Sequence, residues 1–549
     1  MTDEKHITMD SEKEIIKSDV EAVAVTRADS SSDIAPGKDG NDAQQEVKSP
    51  MATKRALIAW LVLCFSTGPT AGMAFRYVPA VLQSGANVLG HIPGTNKPCA
   101  KRGVIRCVVP FGTGEVDYNS YILYLQSIAR ASEGVLCIFI SGIADFTHYR
   151  KTLLILGIVL FGTFALPYAS MTAKTHRNLV SGSILWVFMT TVQGVYGTLS
   201  SSYIPLFMRE AGWIQSRTRL GQDGRLVVTE EERANKELFN RGTMVSVLGL
   251  LSGNVGSILG QGIGLIIAHT HGSGLTDGYK SFLLAITIAG CLTISFGGTG
   301  YFLLPSVKGS KPTTKNYGGL AVKRWVELLK SIPKYPEAFK LCVGWVLWNT
   351  GYSNFNSVIG LLFREVSGLG TGDRLYTVYT FMAVTTASIG SLTWMFVFPR
   401  TNFKIKSWAY WFLSINIFCI FWGCLGIGKN VKIGYKYVPE FWIEQTLFCM
   451  TSSALRSANR VMYASMLPRG REAHFFGLEL TLDLATGWIN PLVQSVIQNK
   501  THNLRYPMLP NFFLLVVALG FYIWCDLEKG IKDSLKEFDE AAPAVDNGT

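Results

Sequence analysis

The chain has 549 residues, 48% of them hydrophobic and 16% charged, with 54 glycines and a formal net charge of +12. A soluble protein of this length would divide into several domains and carry more charge. The basic residues lie in loops between apolar runs, as in the cytosolic loops of membrane proteins, which sets nucleic-acid binding aside.

Residues 1–54 are charged, rich in Ser and Asp and poor in aromatics, and read as a disordered cytosolic tail. The first apolar run is expected to act as the internal targeting signal. Apolar runs of about 20 residues or more are long enough to cross the hydrocarbon as helices. About twelve follow in order, at 57–82, 121–142, 152–171, 180–203, 243–268, 281–304, 341–363, 375–398, 407–427, 441–466, 475–497 and 509–525. The chain therefore reads as an all-α polytopic membrane protein.

The loops alternate in charge. One set holds Arg150 and Lys151, the stretch from Arg209 to Arg241, that from Lys308 to Lys340, then Arg400, Lys404 and Lys406, then Arg469 and Arg471. That set, and with it both termini, is expected on the cytosolic side. The longest basic loop, 305–340, divides the runs into 55–304 and 341–527. Residues 528–549 form a second cytosolic tail. Six helices, a basic central loop and six more helices make the major-facilitator layout, in which two halves rock about a midplane site.

After the second run the sequence reads Ser141-Gly142-Ile143-Ala144-Asp145, then His148-Tyr149-Arg150-Lys151. It resembles the facilitator motif G-x-x-x-D-x-x-G-R-[KR], with Ser141 and His148 in place of its glycines. Asp145, Arg150 and Lys151 are candidates for a cytosolic gate; the alternative is a charge cluster that only sets topology. The fifth run has Gly249, Gly253, Gly256, Gly260 and Gly264 at small-xxx-small spacing. Close helix packing is the first reading, and a sliding contact with the eighth run the functional one.

Charges inside apolar runs cost free energy, and they normally face a partner or an aqueous path. Arg130 and Glu133 lie at i,i+3 in the second run, Arg456 and Arg460 at i,i+4 in the tenth, Glu479 and Asp483 at i,i+4 in the eleventh. Each pair shares a helix face. Arg forks suit a carboxylate, and Asp or Glu suits an ammonium or a proton. These six residues are the candidate substrate or proton pathway, with Glu133 the first candidate proton carrier and Asp483, paired with Arg460, a gate. The alternative is a structural ion-pair network. No His, Cys or acidic cluster has metal or catalytic spacing, so neither metal, cofactor nor enzyme activity is expected.

The end of the chain is the most specific part. Ser457-Ala458-Asn459-Arg460, Leu467-Pro468-Arg469-Gly470-Arg471-Glu472, Phe475-Phe476-Gly477, Asp483, Pro491 and Lys500-Thr501-His502-Asn503-Leu504-Arg505-Tyr506 combine motifs. They resemble the signature of the fungal autophagy-related vacuolar effluxers, a major-facilitator branch. The likeness extends over most of 55–530. Gly68-Pro69 stands where members carry an acidic residue before the proline, Leu484 replaces a lysine, Glu479 an aromatic, and Asn490-Pro491 a Gly-Pro.

The resemblance implies a multi-pass vacuolar membrane protein that exports amino acids such as leucine, isoleucine and tyrosine, released by autophagic degradation, to the cytosol. Protons and membrane lipid are its further expected partners. A facilitator for a siderophore, drug or peptide, or a non-transporting scaffold, is the alternative. The family carries a cysteine pair in its first lumenal loop, like Cys99 and Cys107. Both sit in a loop reached by an oxidising route, so a disulfide is expected. Asn499 heads an Asn-Lys-Thr sequon, so near two spans that glycosylation is not expected.

Overall fold

The computed structural model describes residues 53–95, 97–99, 107–144, 149–204, 206–207, 230–270, 277–306, 332–367, 374–401, 403–428, 430–467 and 486–533, with single positions at 319, 326, 330, 479, 482 and 483. Residues 1–52 of the tail, Asp145, most of the 305–340 loop, Arg469, Arg471 and residues 534–549 lie outside the described residues.

Thirteen α-helices run end to end among the described residues. They are α1 Lys54–Leu89, α2 Tyr118–Ala144, α3 Tyr149–Ala165, α4 His176–Ser201, α5 Glu230–Thr270 and α6 Asp277–Leu303, then α7 Pro336–Ser367, α8 Arg374–Val397, α9 Ile405–Leu425, α10 Val438–Ser465, α11 Ile489–Thr501, α12 Met508–Trp524 and α13 Leu527–Asp533. Seven are long and apolar enough to cross a membrane on their own, and eight if α12 and α13, bent by 59°, form one span. The fold is therefore that of a helical polytopic membrane protein, although apolarity alone does not return twelve spans. The eleventh run lies partly outside the described residues, and for three others the shortfall has a physical cause. Helices α2, α7 and α10 carry charged and amide side chains along their buried faces, which lowers their hydropathy. Such residues are tolerated where a helix faces protein or water rather than lipid.

Helix α1 packs on α5 and α6, α3 on α4 and α6, and α2 on α4. In the second part of the chain α7 packs on α12, α8 on α10, and α9 on α10 and α12. The two sets meet where α2 touches α11 and where α5 touches α8 and α10. The glycine ladder of α5 faces α1. A Cβ at Gly256 would run into the Phe65 carbonyl oxygen, and one at Gly260 into the backbone of Pro69. Pro69 has no N–H to offer that Phe65 carbonyl, so the backbone is locally released there. Ser257 Oγ donates to Gly68 O at 2.8 Å and Ser252 Oγ to Leu61 O at 2.7 Å, which ties α5 to the same stretch of α1. The ladder is thus an α1 contact, and the sliding contact with α8 is not its role. Helix α5 meets α8 through another face, with Phe381 near Gly262.

Between α1 and α2 the chain forms an antiparallel hairpin of β1 Val108–Phe111 and β2 Gly114–Asp117, with Val108 opposite Asp117. Gly112 takes φ +62° in its two-residue turn, a conformation that favours glycine. Cys99 is disulfide-bonded to Cys107, with Cα atoms 5.9 Å apart, and His91 bridges to both Pro98 and Val108. The hairpin side of the bundle is the disulfide face, and the side where α1 begins and α12 ends is the termini face.

On the disulfide face Glu440 opens α10. Its carboxylate accepts from Trp422 Nε1 at 2.7 Å, Tyr435 N at 2.8 Å and Gly434 N at 2.9 Å. Burial pushes this carboxyl up, but the hydrogen bonds from Trp422, Tyr435, Tyr437 and Gly434 outweigh it and hold it below its ordinary value.

Candidate functional site

Helix α2 positions the first charged pair. Arg130 Nη1 lies 2.7 Å from Glu133 Oε2, one turn apart on the buried face. Gly194 of α4 lets that carboxylate in, since a Cβ there would overlap it. Glu133 is thus closed into an ion pair of its own helix. The further charge that acts on both members is Asp483.

Asp483 is buried and its Oδ2 accepts from Asn349 Nδ2 at 2.8 Å. Asn349 Oδ1 in turn accepts from Arg456 Nη2 at 3.3 Å. The amide on α7 therefore bridges an acid from the eleventh span to a base on α10. Arg456 also lies over the Tyr352 ring at 5.1 Å. Arg460, one turn closer to the termini face, has Glu479 as the acid in its field. No hydrogen bond or ion pair joins Arg460 to Asp483 among the described residues. The expected Arg460–Asp483 pairing is therefore corrected. Asn349 takes up the Asp483 carboxylate and links it to Arg456, which leaves Glu479 as the acid in the field of Arg460.

A cavity of about 280 Å³ lies between α1, α3, α4, α5 and α10 in the half of the bundle nearest the termini face. Its polar lining includes Thr67, Ser200, Asn254 and Ser257, with Tyr196 beside them and Arg456 and Arg460 as its two cations. It is small for a ligand site, whose usual range is about 300–1,000 Å³, and so fits a compact solute.

The opposite side is closed by polar contacts between the two sets of helices. Arg364 of α7 donates to Ala80 O at 3.1 Å, to Ser84 Oγ at 2.9 Å, and to Gln83 Oε1, all on α1. Arg76 of α1 donates to Asn356 O at 3.1 Å and Asn356 Oδ1 at 3.0 Å, and Tyr376 Oη donates to Arg76 O at 3.2 Å. Gln126 Nε2 donates to Asn354 Oδ1 at 3.2 Å. At the rim Asp117 N donates to Asn499 Oδ1 at 2.9 Å, and Asp117 Oδ2 lies 3.1 Å from His502 Nδ1. The Asn499 side chain is thus engaged in the contact between the two sets.

The gate candidates behave differently. Arg150 lies over the Tyr203 ring at 6.0 Å and Lys151 over the Tyr301 ring at 4.8 Å. Both rings belong to the first set of helices, and Asp145 is outside the described residues. Sequence reasoning missed Arg76, Arg364 and Glu444, which are buried to 8, 7 and 3% exposure. The signal was present for two of them, because Arg76 and Glu444 interrupt apolar runs just as Arg130 does. Arg364 sits one residue past such a run.

The chain has the major-facilitator transporter fold. The xylose transporter XylE from E. coli in an inward-open conformation superposes with a TM-score of 0.53 at 13% identity, covering 88% of this chain and 99% of that one. The human organic anion transporter MFSD10 gives 0.52 at 11% identity, covering 86% and 100%. The family profile described as "Vacuole effluxer Atg22 like" matches residues 52–535, and the chain belongs to that family. Autophagy-related protein 22 of Candida albicans is 44% identical over 495 residues, covering 90% of this chain and 93% of the relative. Its namesake in Saccharomyces cerevisiae is 21% identical over 522 residues, covering 88% and 94%.

Proposed function

We propose that the protein exports amino acids such as leucine, isoleucine and tyrosine from the vacuole to the cytosol. In this reading α1–α6 and α7–α12 are the two rocking halves and both termini, with the 305–340 loop, are cytosolic. The observation that carries it is the free arginine of the cavity. Arg460 faces the cavity with no hydrogen-bond or ion-pair partner among the described residues, beside Arg456, which keeps one hydrogen bond to Asn349. A guanidinium exposed to a small polar cavity recruits a carboxylate, and its planar fork accepts both oxygens. Thr67, Ser200 and Asn254 in the same lining offer side-chain oxygens to the ammonium. The volume suits one free amino acid rather than a peptide.

The structure corresponds, in this reading, to the cytosol-facing stage, with the lumenal side latched by Arg364, Arg76 and Asp117. An acidic lumen accelerates export or drives it by coupled proton flow. About 2 pH units are worth roughly 2.7 kcal/mol per proton. Glu133 is the less suited carrier, since it is already neutralised by Arg130 at 2.7 Å.

The test is flux of radiolabelled leucine, isoleucine and tyrosine in proteoliposomes, beside a siderophore, a drug and a peptide. Arg456→Gln and Arg460→Gln should each raise the KM for amino acids by about tenfold or more, the loss of a charged hydrogen bond of roughly 1.5–3 kcal/mol. Flux confined to one of the other solutes would overturn the reading. Protease protection of terminal tags in intact vacuoles tests the orientation, and tags sheltered in the lumen would reverse it.

A further inference from the structure

We propose that Glu444 is a proton-binding site open only to the disulfide face, and that its protonation permits that face to close. The proposal rests on the vacuolar reading only for the origin of the acid; the closure itself is argued from geometry.

Glu444 lies in the second turn of α10 and is 3% exposed. Its Oε2 is 3.4 Å from the Tyr379 hydroxyl of α8, a long contact, and its Oε1 has no hydrogen-bond partner. The other buried acids are provided for. Glu133 has Arg130, Glu337 has Lys340, Asp483 has Asn349, and Asp117 accepts from the backbone N–H of Asn119 at 2.9 Å and lies 3.1 Å from His502. The titratable groups facing Glu444 are Arg76 on α1, Tyr379 on α8, Cys419 on α9, Tyr435 before α10 and Cys449 on α10. Only Arg76 among them carries charge near neutrality. Its terminal nitrogens both donate to Asn356, and no ion pair within 4.0 Å joins it to Glu444 among the described residues.

A carboxylate with an orphaned oxygen is expensive to enclose, and a neutral carboxyl much less so. The enclosure is made by the closed face itself. Arg76 and Glu444 belong to opposite sets of helices, and the Arg76–Asn356 and Tyr376–Arg76 contacts exist only while the sets are together on this side. Parting them lets water reach Glu444 from the disulfide face.

Access from the cavity is blocked by rings. Phe448, one turn along α10 toward Arg456, stacks on Tyr352 at 5.6 Å and packs on Phe355 at 4.8 Å, and Phe448 and Phe355 are fully buried. Glu444 does not line the cavity. A hydronium on the disulfide side gives its proton to Oε1 and leaves as water. On reopening, the O–H bond breaks and the proton returns to water on the same side. The proton is a signal for closure and is not carried across.

The test is the distance between spin labels at Glu115→Cys and Lys500→Cys, exposed positions on either side of the Asp117–Asn499 contact, in the full-length protein with its reactive cysteines replaced. In the wild type the short-distance, closed population should grow as pH falls from 7.5 to 5. Glu444→Gln should remain closed throughout, with loss of the pH response. Tyr379→Phe removes the one donor to the ionised carboxylate, so closure should set in at higher pH. His502→Gln, which removes the Asp117–His502 contact between the two sets on this face, should keep the response. A Glu444→Gln protein with the wild-type pH response overturns the proposal, as does a response lost in His502→Gln alone. If Glu444→Gln does not fold, an unmoved midpoint in Tyr379→Phe overturns it. No amino acid is present in this measurement, so absent leucine counterflow in the wild type would sink the substrate reading and leave this one standing.

Discussion

Arg364→Ala removes the largest single latch on the disulfide face. Its guanidinium makes three hydrogen bonds to one turn of α1, to Ala80 O, Gln83 Oε1 and Ser84 Oγ, and lies over the Tyr376 ring at 5.5 Å. Hydrogen bonds to a charged group contribute roughly 1.5–3 kcal/mol each when they replace water poorly matched to the site. In the open state the guanidinium is rehydrated, so the net loss is nearer the value of one such bond, about 3 kcal/mol. That is a change of roughly 150-fold in the closed-to-open ratio, at about 1.4 kcal/mol per factor of ten. A protein about 99% closed would then fall to about 40% closed. Arg364→Lys should fall between the two, because an ammonium cannot reproduce the planar fork. The label pair at positions 115 and 500 reads the populations directly. An Arg364→Ala distance distribution identical to the wild type would refute the latch.

Three further outcomes are expected. Reversing Arg460 and Glu479 together should restore the thermal midpoint lowered by either single reversal, while reversing Arg460 with Asp483 should not, because Asp483 is held by Asn349 at 2.8 Å; thermal melts of the detergent-solubilised protein separate the two. Gly256→Ala should lower the thermal midpoint of the detergent-solubilised protein, by an overpacking cost of about 1–3 kcal/mol, because its Cβ overlaps the Phe65 carbonyl and lies 3.1 Å from Gly68 Cα. Glu440→Gln should destabilise the α10 entry by roughly 1–3 kcal/mol. Because the Glu440 carboxyl is held below its ordinary value, its stabilisation is present above the unfolded-state value and is lost only as pH falls through the lower folded one. Thermal melts at pH 7 and pH 5.5 should therefore show nearly the same Glu440→Gln deficit.

Much of this protein is legible in its amino-acid sequence. Apolar runs of bilayer length predict a helical membrane protein, because lipid offers the backbone no other partner. Charges inside those runs point to a buried polar interior, and the Lys500–Tyr506 and Pro468–Glu472 motifs resemble the vacuolar effluxers to which the chain belongs. The β1–β2 hairpin is readable only as a loop with a cysteine pair, since two four-residue strands carry too little pattern to separate from a turn. Tertiary structure alone decides who meets whom. Spacing of i,i+4 places Arg456 and Arg460 on one helix face, but the rotation and register of the neighbouring span choose their partners. That register puts Glu479 in the field of Arg460 and sets Asn349 between Arg456 and Asp483. The closed face, the cavity opposite it and the orphaned oxygen of Glu444 likewise follow from how one set of helices leans on the other, and a single chain's periodicity holds no term for that angle.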